Sequence, residues 1–327
     1  MRRLRPAAPA VALLLILVTI GAACSAPPAT PPTSALDDIE FAAPERSPEP
    51  SPGCSSYAAL PTDRQTWSFE QDGQHRTTFV DAPAASAGDP LPVVLSFHPF
   101  ALGNQAWDDY SEMAATGTAR GYIVVTPQGS TDLLLPRWTV RGGLPGPDDP
   151  AFIDQILARL GDEACIDLSR IYATGFSAGA AFSVSLTCER PGLLAAVAVS
   201  GGSNLSTPCP EGDATDALIM HGQEDPIAPV TGQTGPLPPQ GITVQEVVDS
   251  FATRGDCTGT TTLAVRPSAD LIRSTGCVTG GETAYLPFTG GHTWAGKAGL
   301  AFAVIVTGAT NCDFDATLTV LDWFDAH

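Results

Sequence analysis

The sequence predicts an α/β fold in which a mostly parallel sheet is covered by helices on both faces. Short, nearly continuous apolar runs such as LPVVLSF, YIVVTP and ALIMHG are typical of strands buried on both faces. Segments with helical spacing lie between them, and a repeated strand–helix order is the pattern of a parallel sheet. One apolar core is recognisable, so we expect a single α/β domain over residues 54–327.

The predicted elements follow in a regular order. Two alternating segments, QTWSFE and HRTTFVDAP, meet at Gly73 without a helix and predict an antiparallel start of the sheet. Buried strands are then predicted at LPVVLSFHP, YIVVTPQG, RIYATG, LLAAVAVSGG, DALIMHG and ETAYLPFTG, and a hairpin at TTTLAVRP and LIRSTG. The predicted helices are QAWDDYSEMAATGTARG, DDPAFIDQILARLGDE, AGAAFSVSLTCER, TVQEVVDSFATRG and DFDATLTVLDWFDAH. Catalytic groups in such sheets lie beyond the carboxyl ends of the strands.

The first 53 residues differ from the rest in composition. Three arginines precede a short apolar run over residues 11–20, and small residues then lead to Cys24, which predicts an export signal over residues 1–23. The apolar run is too short to cross a bilayer as a helix. A cysteine directly after small residues resembles a bacterial lipoprotein signal, so Cys24 is a predicted lipidation site.

Residues 24–53 are rich in Pro, Ser, Thr and Ala, and they offer little that a core could bury. This composition predicts a disordered tether in front of the folded domain. Together with the export signal, it predicts a protein outside the cytoplasm that is either lipid-anchored to the cell membrane or secreted.

The chain is strongly acidic. It has 35 acidic and 16 basic residues and a formal net charge of -19. Such a surface repels phosphate backbones, so nucleic acid is not an expected partner. The acidity is typical of a well-solvated exported protein.

Eight cysteines in an exported chain favour disulfides. Cys257 and Cys277 flank the predicted hairpin and form the first predicted pair, and Cys165 with Cys188 is the second. The cysteines and histidines lack the spacing of a metal site, so neither a metal nor another cofactor is expected.

The segment GFSAG, residues 175–179, lies between a predicted strand and a predicted helix. A serine at so sharp a turn has a strained backbone that neighbouring side chains would crowd, and Gly175 and Gly179 have none. The turn would expose the Ser177 hydroxyl at the edge of the sheet, beside the N–H groups that begin the helix. The pattern predicts Ser177 as a nucleophile. The alternative is a glycine-rich turn with a solvated serine.

A serine nucleophile needs a general base and an acid that orients this base. His292 lies in the loop FTGGHTWAG after the last buried strand, where the chain order serine, acid, histidine places the base. Asp225, in HGQEDPIAP, follows the strand between them, with Glu224 as its rival. The non-catalytic alternative for Asp225 is a turn residue before Pro226. The predicted triad is Ser177, Asp225 and His292.

The loop SFHPFALGN after the third buried strand is expected to supply the second oxyanion donor. Because Pro99 lacks an N–H, the backbone of Phe100 is the predicted donor, together with that of Ala178. His98 is expected to brace this loop by hydrogen bonds, and His221 to be a packed residue at a strand end.

These motifs resemble one branch of the α/β-hydrolases, the polyhydroxybutyrate depolymerase-like and feruloyl or acetylxylan esterase-like secreted esterases. The matching segments run over most of residues 91–324: SFHPF, VVTPQG, DDPAFIDQIL, CIDLSRIYATGFSAGAAFSVSLTCERP, AAVAVSGG, HGQEDPIAPV, GGHTWAG and DFDATLTVLDWF. The resemblance implies an α/β-hydrolase fold and a carboxylic ester hydrolase with the triad named above. It also implies a substrate pocket, for which Trp294, Trp138 and His98 are the candidates.

The function predicted from the sequence is that of an exported serine esterase that works through an acyl-enzyme. Its expected substrate is a small-molecule or polymeric ester. The expected targets are acyl groups linked to polysaccharides, or hydroxyalkanoate oligomers. The membrane is expected as a partner only through the N-terminal lipid. Two alternatives are a peptidase or thioesterase of the same fold, and a non-catalytic lipoprotein that binds polymer fragments.

Overall fold

The computed structural model describes residues 33–41, 46–56, 60–84, 89–234, 238–297 and 307–327. Its strands are β1 (Gln65–Gln71), β2 (Gln74–Asp81), β3 (Leu91–Phe97), β4 (Ile123–Pro127), β5 (Ile166–Phe176), β6 (Ala196–Ser200), β7 (Asp216–Gly222), β8 (Gly259–Arg266), β9 (Ala269–Thr275) and β10 (Thr283–Phe288). Its α-helices are α1 (Asn104–Ser111), α2 (Met113–Ala119), α3 (Asp149–Glu163), α4 (Ala178–Glu189), α5 (Val244–Arg254) and α6 (Ala316–Ala326). Single 3-10 turns lie at Pro52–Ser56 and Ser203–Leu205.

The strands form one ten-stranded sheet in the order β1-β2-β4-β3-β5-β6-β7-β10-β9-β8. The six central strands, β4-β3-β5-β6-β7-β10, are parallel to one another. The two edges are antiparallel, with β1 and β2 at one side and the β8–β9 hairpin at the other. The predicted α/β fold and the predicted antiparallel start are confirmed.

The helices cover both faces of the sheet, and successive strand residues divide between two cores. In β3, Val93 and Leu95 belong to the core that holds Phe152 of α3 and Phe182 of α4. Val94 belongs to the opposite core, together with large side chains from α1, α2 and α6 (Trp107, Met113 and Val320). This two-sided burial explains why the parallel strands read as continuous apolar runs. Within the described residues, no helix is long and apolar enough to cross a membrane.

The predicted helix QAWDDYSEMAATGTARG is two helices in the structure. Glu112 adopts a left-handed backbone conformation with φ of 57°, which ends α1 and starts α2. The Asp108 carboxylate accepts the N–H of Ala114 across the break at 3.0 Å. Side-chain capping therefore replaces the helical hydrogen bonds that the turn at Glu112 interrupts.

Part of the predicted disordered tether packs against the domain. Ala35 and Leu36 are buried, the Arg46 guanidinium lies 2.8 Å from the Asp216 carboxylate, and Pro50 pairs with Asp167 in an isolated bridge. The contacts of a few apolar and charged residues with the domain therefore fix part of this segment, although its overall composition is rich in Pro and Ser. The predicted export signal and the lipidation site Cys24 lie outside the described residues.

Three disulfides join described cysteines. Cys257 pairs with Cys277, as predicted. The second predicted pair is wrong, because Cys165 bonds to Cys54 and Cys188 bonds to Cys209. The packing of the N-terminal segment explains the difference. The N–H of Ser51 donates to the Ile166 carbonyl at 2.9 Å, which brings the following turn under the start of β5.

Candidate active site

Ser177 lies on a strained turn between β5 and α4. Its backbone has φ of 55° and ψ of -119°, a combination that residues with a Cβ rarely adopt and that is maintained only where the surroundings impose it. The Ser177 N–H donates to the carbonyl of Ser200 at 3.1 Å, and its carbonyl accepts the N–H of Ala181 at 3.0 Å. The strand–turn–helix context predicted for this serine is present.

Three glycines allow the neighbouring backbones to approach this turn. A Cβ on Gly179 would clash with the carbonyl of Phe97 at the end of β3, and a Cβ on Gly175 would lie 2.9 Å from the same oxygen. A Cβ on Gly202, after β6, would clash with the backbone of Ser177 itself. The carboxyl ends of β3, β5 and β6 therefore converge on the serine because these positions have no side chain.

His292 and Asp225 form a buried hydrogen-bonded pair. The Nδ1 of His292 lies 2.6 Å from Oδ2 of Asp225, and both side chains are almost fully buried. Because an ionised carboxylate only accepts, Nδ1 carries a proton, and in the neutral ring Nε2 is the atom that has the free lone pair. The imidazole also contacts the ring of Phe176, with ring centroids 4.7 Å apart. The candidate base therefore lies beside the residue that precedes Ser177.

Four N–H groups surround the Asp225 carboxylate. Oδ1 accepts the backbone N–H groups of Ile227 and Ala228, both at 2.8 Å, and Oδ2 faces His292 and, at 3.4 Å, Nε2 of His221. Burial alone would raise the pKa of Asp225, but the hydrogen bonds from the two histidines and the backbone hold it well below its usual range. Glu224, the rival acid, is exposed to solvent.

The loop after β3 is braced by His98. Its Nε2 accepts the N–H of Gly129 at 2.8 Å, and its Nδ1–H donates to the carbonyl of Pro99 at 2.8 Å. The indole N–H of Trp138 donates to the His98 carbonyl at 2.9 Å. Burial lowers the pKa of His98 to about 4, so the ring is neutral at pH 7 and can act as both acceptor and donor.

The two predicted oxyanion donors are backbone amides at this edge of the sheet. Ala178 begins α4, where N–H groups have no acceptor within the helix. The amides that follow Phe100 are engaged, since Ala101 donates to Pro136 at 2.8 Å and Leu102 to Pro99 at 3.4 Å. Among the described residues, the N–H of Phe100 has no such acceptor, which leaves it free for a ligand.

The three predicted pocket side chains are buried in the protein core instead. His98 braces the loop just described, and Trp138 stacks on Phe182 with ring centroids 4.7 Å apart. Trp294 is fully buried and donates its indole N–H to the Thr317 hydroxyl at 2.9 Å. Large aromatic side chains with satisfied N–H groups are well suited to such core positions.

Exposed apolar side chains occur instead in the loops after β3, β4 and β7. Leu134 is 91% exposed and has a left-handed backbone with φ of 76°. Its neighbours Leu133 and Leu135 and the side chains of Phe100 and Ile227 are also exposed. We call these five residues the apolar rim. Three consecutive leucines in a loop, between Asp132 and Pro136, were the sequence signal for it. Within the described residues, no group of three or more His, Cys, Asp or Glu side chains could hold a metal ion.

Comparison with solved structures identifies the fold to which this sheet belongs. The chain superposes on an acetyl xylan esterase from Aspergillus awamori with a TM-score of 0.54 and 15% identity, over 80% of this chain and 100% of the other. The chain has the α/β-hydrolase fold. No protein-family model matches it.

By sequence, the chain is similar to proteins that are named esterases, which confirms the resemblance noted in its motifs. It is 30% identical over 206 residues to feruloyl esterase D of Neurospora crassa, covering 59% of this chain and 66% of that protein. It is 36% identical over 121 residues to feruloyl esterase C of Emericella nidulans, covering 37% and 41%. It is 27% identical over 267 residues to the putative esterase NocK of Nocardia uniformis, covering 74% and 76%. The chain thus spans less than two thirds of the two feruloyl esterases.

Proposed function

We propose that this α/β-hydrolase is an exported serine esterase with Ser177 as nucleophile, His292 as general base and Asp225 as the acid that orients the base. One observation carries the proposal. The His292 imidazole donates to a buried carboxylate at 2.6 Å and contacts the residue before a serine held on a strained turn. Its esterase relatives support the same reaction class.

The proposed reaction follows from the direction of these hydrogen bonds. Ser177 Oγ attacks the ester carbonyl while Nε2 of His292 takes its proton, and the Asp225 carboxylate stabilises the imidazolium that forms. The N–H groups of Phe100 and Ala178 hold the oxyanion. The tetrahedral intermediate collapses, the alcohol leaves with the proton from His292, and an acyl-enzyme remains. His292 then activates water, which releases the acid and restores Ser177.

We propose that the substrates are polysaccharide-linked acyl groups or hydroxyalkanoate oligomers. The names of the relatives point to feruloyl and acetyl-xylan esters, and the apolar rim offers contact area for an acyl group or an apolar polymer. Three disulfides support an extracytoplasmic location. Anchoring through a lipid on Cys24 is part of the proposal.

Replacement of Ser177 by Ala tests the reaction directly. We expect loss of short-chain nitrophenyl ester hydrolysis and of labelling by a fluorophosphonate, with unchanged thermal stability. The exposed Ser55→Ala is the matched control and should retain both. Undiminished turnover in Ser177→Ala would refute the esterase proposal. A wild-type protein that is not labelled and turns over no ester would instead favour the polymer-binding alternative.

A substrate panel separates the enzymatic alternatives. Feruloyl, acetyl-xylan and hydroxybutyrate oligomer esters should be compared with a peptide amide and a thioester at equal concentration. We expect kcat/KM to be highest for one of the oxygen esters. Faster cleavage of the peptide or the thioester would instead support the peptidase or thioesterase alternative.

A further inference from the structure

His221 lies directly behind the candidate acid of the active site. It is the second-last residue of β7, and its side chain is completely buried. Its Nε2 is 2.8 Å from the carbonyl oxygen of Ala228 and 3.4 Å from Oδ2 of Asp225. Both neighbours are acceptors, so Nε2 carries the proton. The buried Nδ1 has no hydrogen-bond partner among the described residues, so the N–H on Nε2 is the polar contact that the ring makes with the acid turn.

The turn that carries Asp225 is therefore fixed from two sides. On one side the carboxylate accepts the N–H groups of Ile227 and Ala228 at 2.8 Å. On the other side His221 holds the carbonyl of Ala228. Ala228 is thus bound through its N–H to the carboxylate and through its carbonyl to the imidazole. His221 therefore holds in place the residue whose N–H binds the Asp225 carboxylate.

The two histidines meet at one oxygen atom. Oδ2 of Asp225 lies 2.6 Å from Nδ1 of His292 and 3.4 Å from Nε2 of His221. The His221 N–H makes its hydrogen bond to the Ala228 carbonyl, and its 3.4 Å contact with Oδ2 is a second, electrostatic one. Without the His221 N–H, the Ala228 carbonyl loses its donor and Oδ2 loses its second N–H neighbour, so the turn that aims Oδ2 at His292 is held less firmly.

We propose that His221 is a positioning residue that fixes the Asp225 carboxylate, and through it His292, for proton transfer. The inference rests on the proposed function but concerns a residue outside the triad. It requires the N–H of His221 and not only its volume. A core residue that merely filled space would affect stability and leave the turnover of correctly folded enzyme unchanged.

Two substitutions at this position separate the N–H from the volume. His221→Leu removes the donor and keeps a similar bulk. His221→Gln restores an N–H at about the reach of Nε2. We measure kcat and KM for a nitrophenyl acetate ester per fluorophosphonate-titrated site, thermal stability, and the low-field proton resonance of the His292–Asp225 hydrogen bond. The exposed His75→Leu is the matched control.

We expect His221→Leu to lower kcat by roughly tenfold to a hundredfold with little change in KM, and to shift or broaden the low-field resonance. His221→Gln should recover most of kcat and the resonance, and His75→Leu should match the wild type. If folded His221→Leu keeps kcat within about twofold of wild type, the proposal is overturned. Equal losses in the Leu and Gln variants would overturn it as well.

A further variant keeps the test decisive if His221→Leu does not fold. His221→Asn carries an amide that is too short to reach Ala228, and it should lose kcat like the leucine variant. Wild-type turnover in folded His221→Asn would refute the positioning role. Failure of the proposed function itself looks different, because the wild-type enzyme would then turn over no ester and His221 variants would have nothing to lose.

Discussion

Replacement of Asp225 by Asn should disable the candidate triad while the site stays folded. The two backbone N–H groups at 2.8 Å require an acceptor, so the amide oxygen takes the place of Oδ1. The amide NH2 then occupies the position of Oδ2, 2.6 Å from Nδ1 of His292. Two donors now face each other. His292 must move its proton to Nε2, where the lone pair for Ser177 is needed.

The size of the effect follows from losing both the correct tautomer and the charge that stabilises the imidazolium. We expect kcat to fall by about 10⁴-fold, which corresponds to roughly 5 kcal/mol of transition-state stabilisation. KM should change little, because the carboxylate is buried behind His292 and does not reach the substrate.

The assay is steady-state hydrolysis of a nitrophenyl acetate ester, with the rate of fluorophosphonate labelling measured in parallel. Both rates should fall together, since both need an activated serine. Glu224→Gln is the matched control, because this neighbouring carboxylate is exposed, and it should behave like the wild type. A folded Asp225→Asn enzyme within tenfold of wild type, or an equal loss in Glu224→Gln, would refute the reasoning.

Three further predictions concern the surroundings of the site. Gly202→Ala places a Cβ against the backbone of Ser177, so we expect the free energy of unfolding to fall by about 2 kcal/mol or more and activity to be lost. An unchanged urea midpoint with full activity would contradict the close approach of the two backbones. Leu134→Asn removes apolar contact area, so it should raise KM for apolar acyl esters about three- to tenfold, and Tm should stay the same because Asn tolerates the left-handed backbone. The control Val278→Ser, at a site that is 75% exposed near the opposite strand ends, should leave KM unchanged. Burial lowers the pKa of His98 to about 4 from about 6.5 in the unfolded chain, so its contribution to stability is complete above pH 6.5 and is lost as the pH falls towards 4. His98→Gln should therefore remove roughly 2–3 kcal/mol from the difference in unfolding free energy between pH 7 and pH 4.5, and an unchanged difference would show that His98 does not titrate in this way.

The amino-acid sequence determined the features that depend on local pattern. Apolar runs of strand length, interrupted by helical spacing, were enough to predict the parallel sheet, because two-sided burial leaves the same signature in each strand. The glycines on either side of Ser177 marked a turn that only residues without a side chain permit there. Asp225 and His292 could be selected because strand ends in such a sheet meet at one edge, in an order fixed by the chain.

The tertiary structure decided every contact between segments that are distant along the chain and carry no local signature. Trp138 and Trp294 were expected at a pocket but fill the two cores, since burial of a side chain depends on which helix covers it. The bond from Cys165 to Cys54 required the N-terminal segment to pack under β5. The meeting of His221 with the Asp225 turn depends on backbone geometry to within about an ångström, and residue types and spacing do not encode distances at that precision.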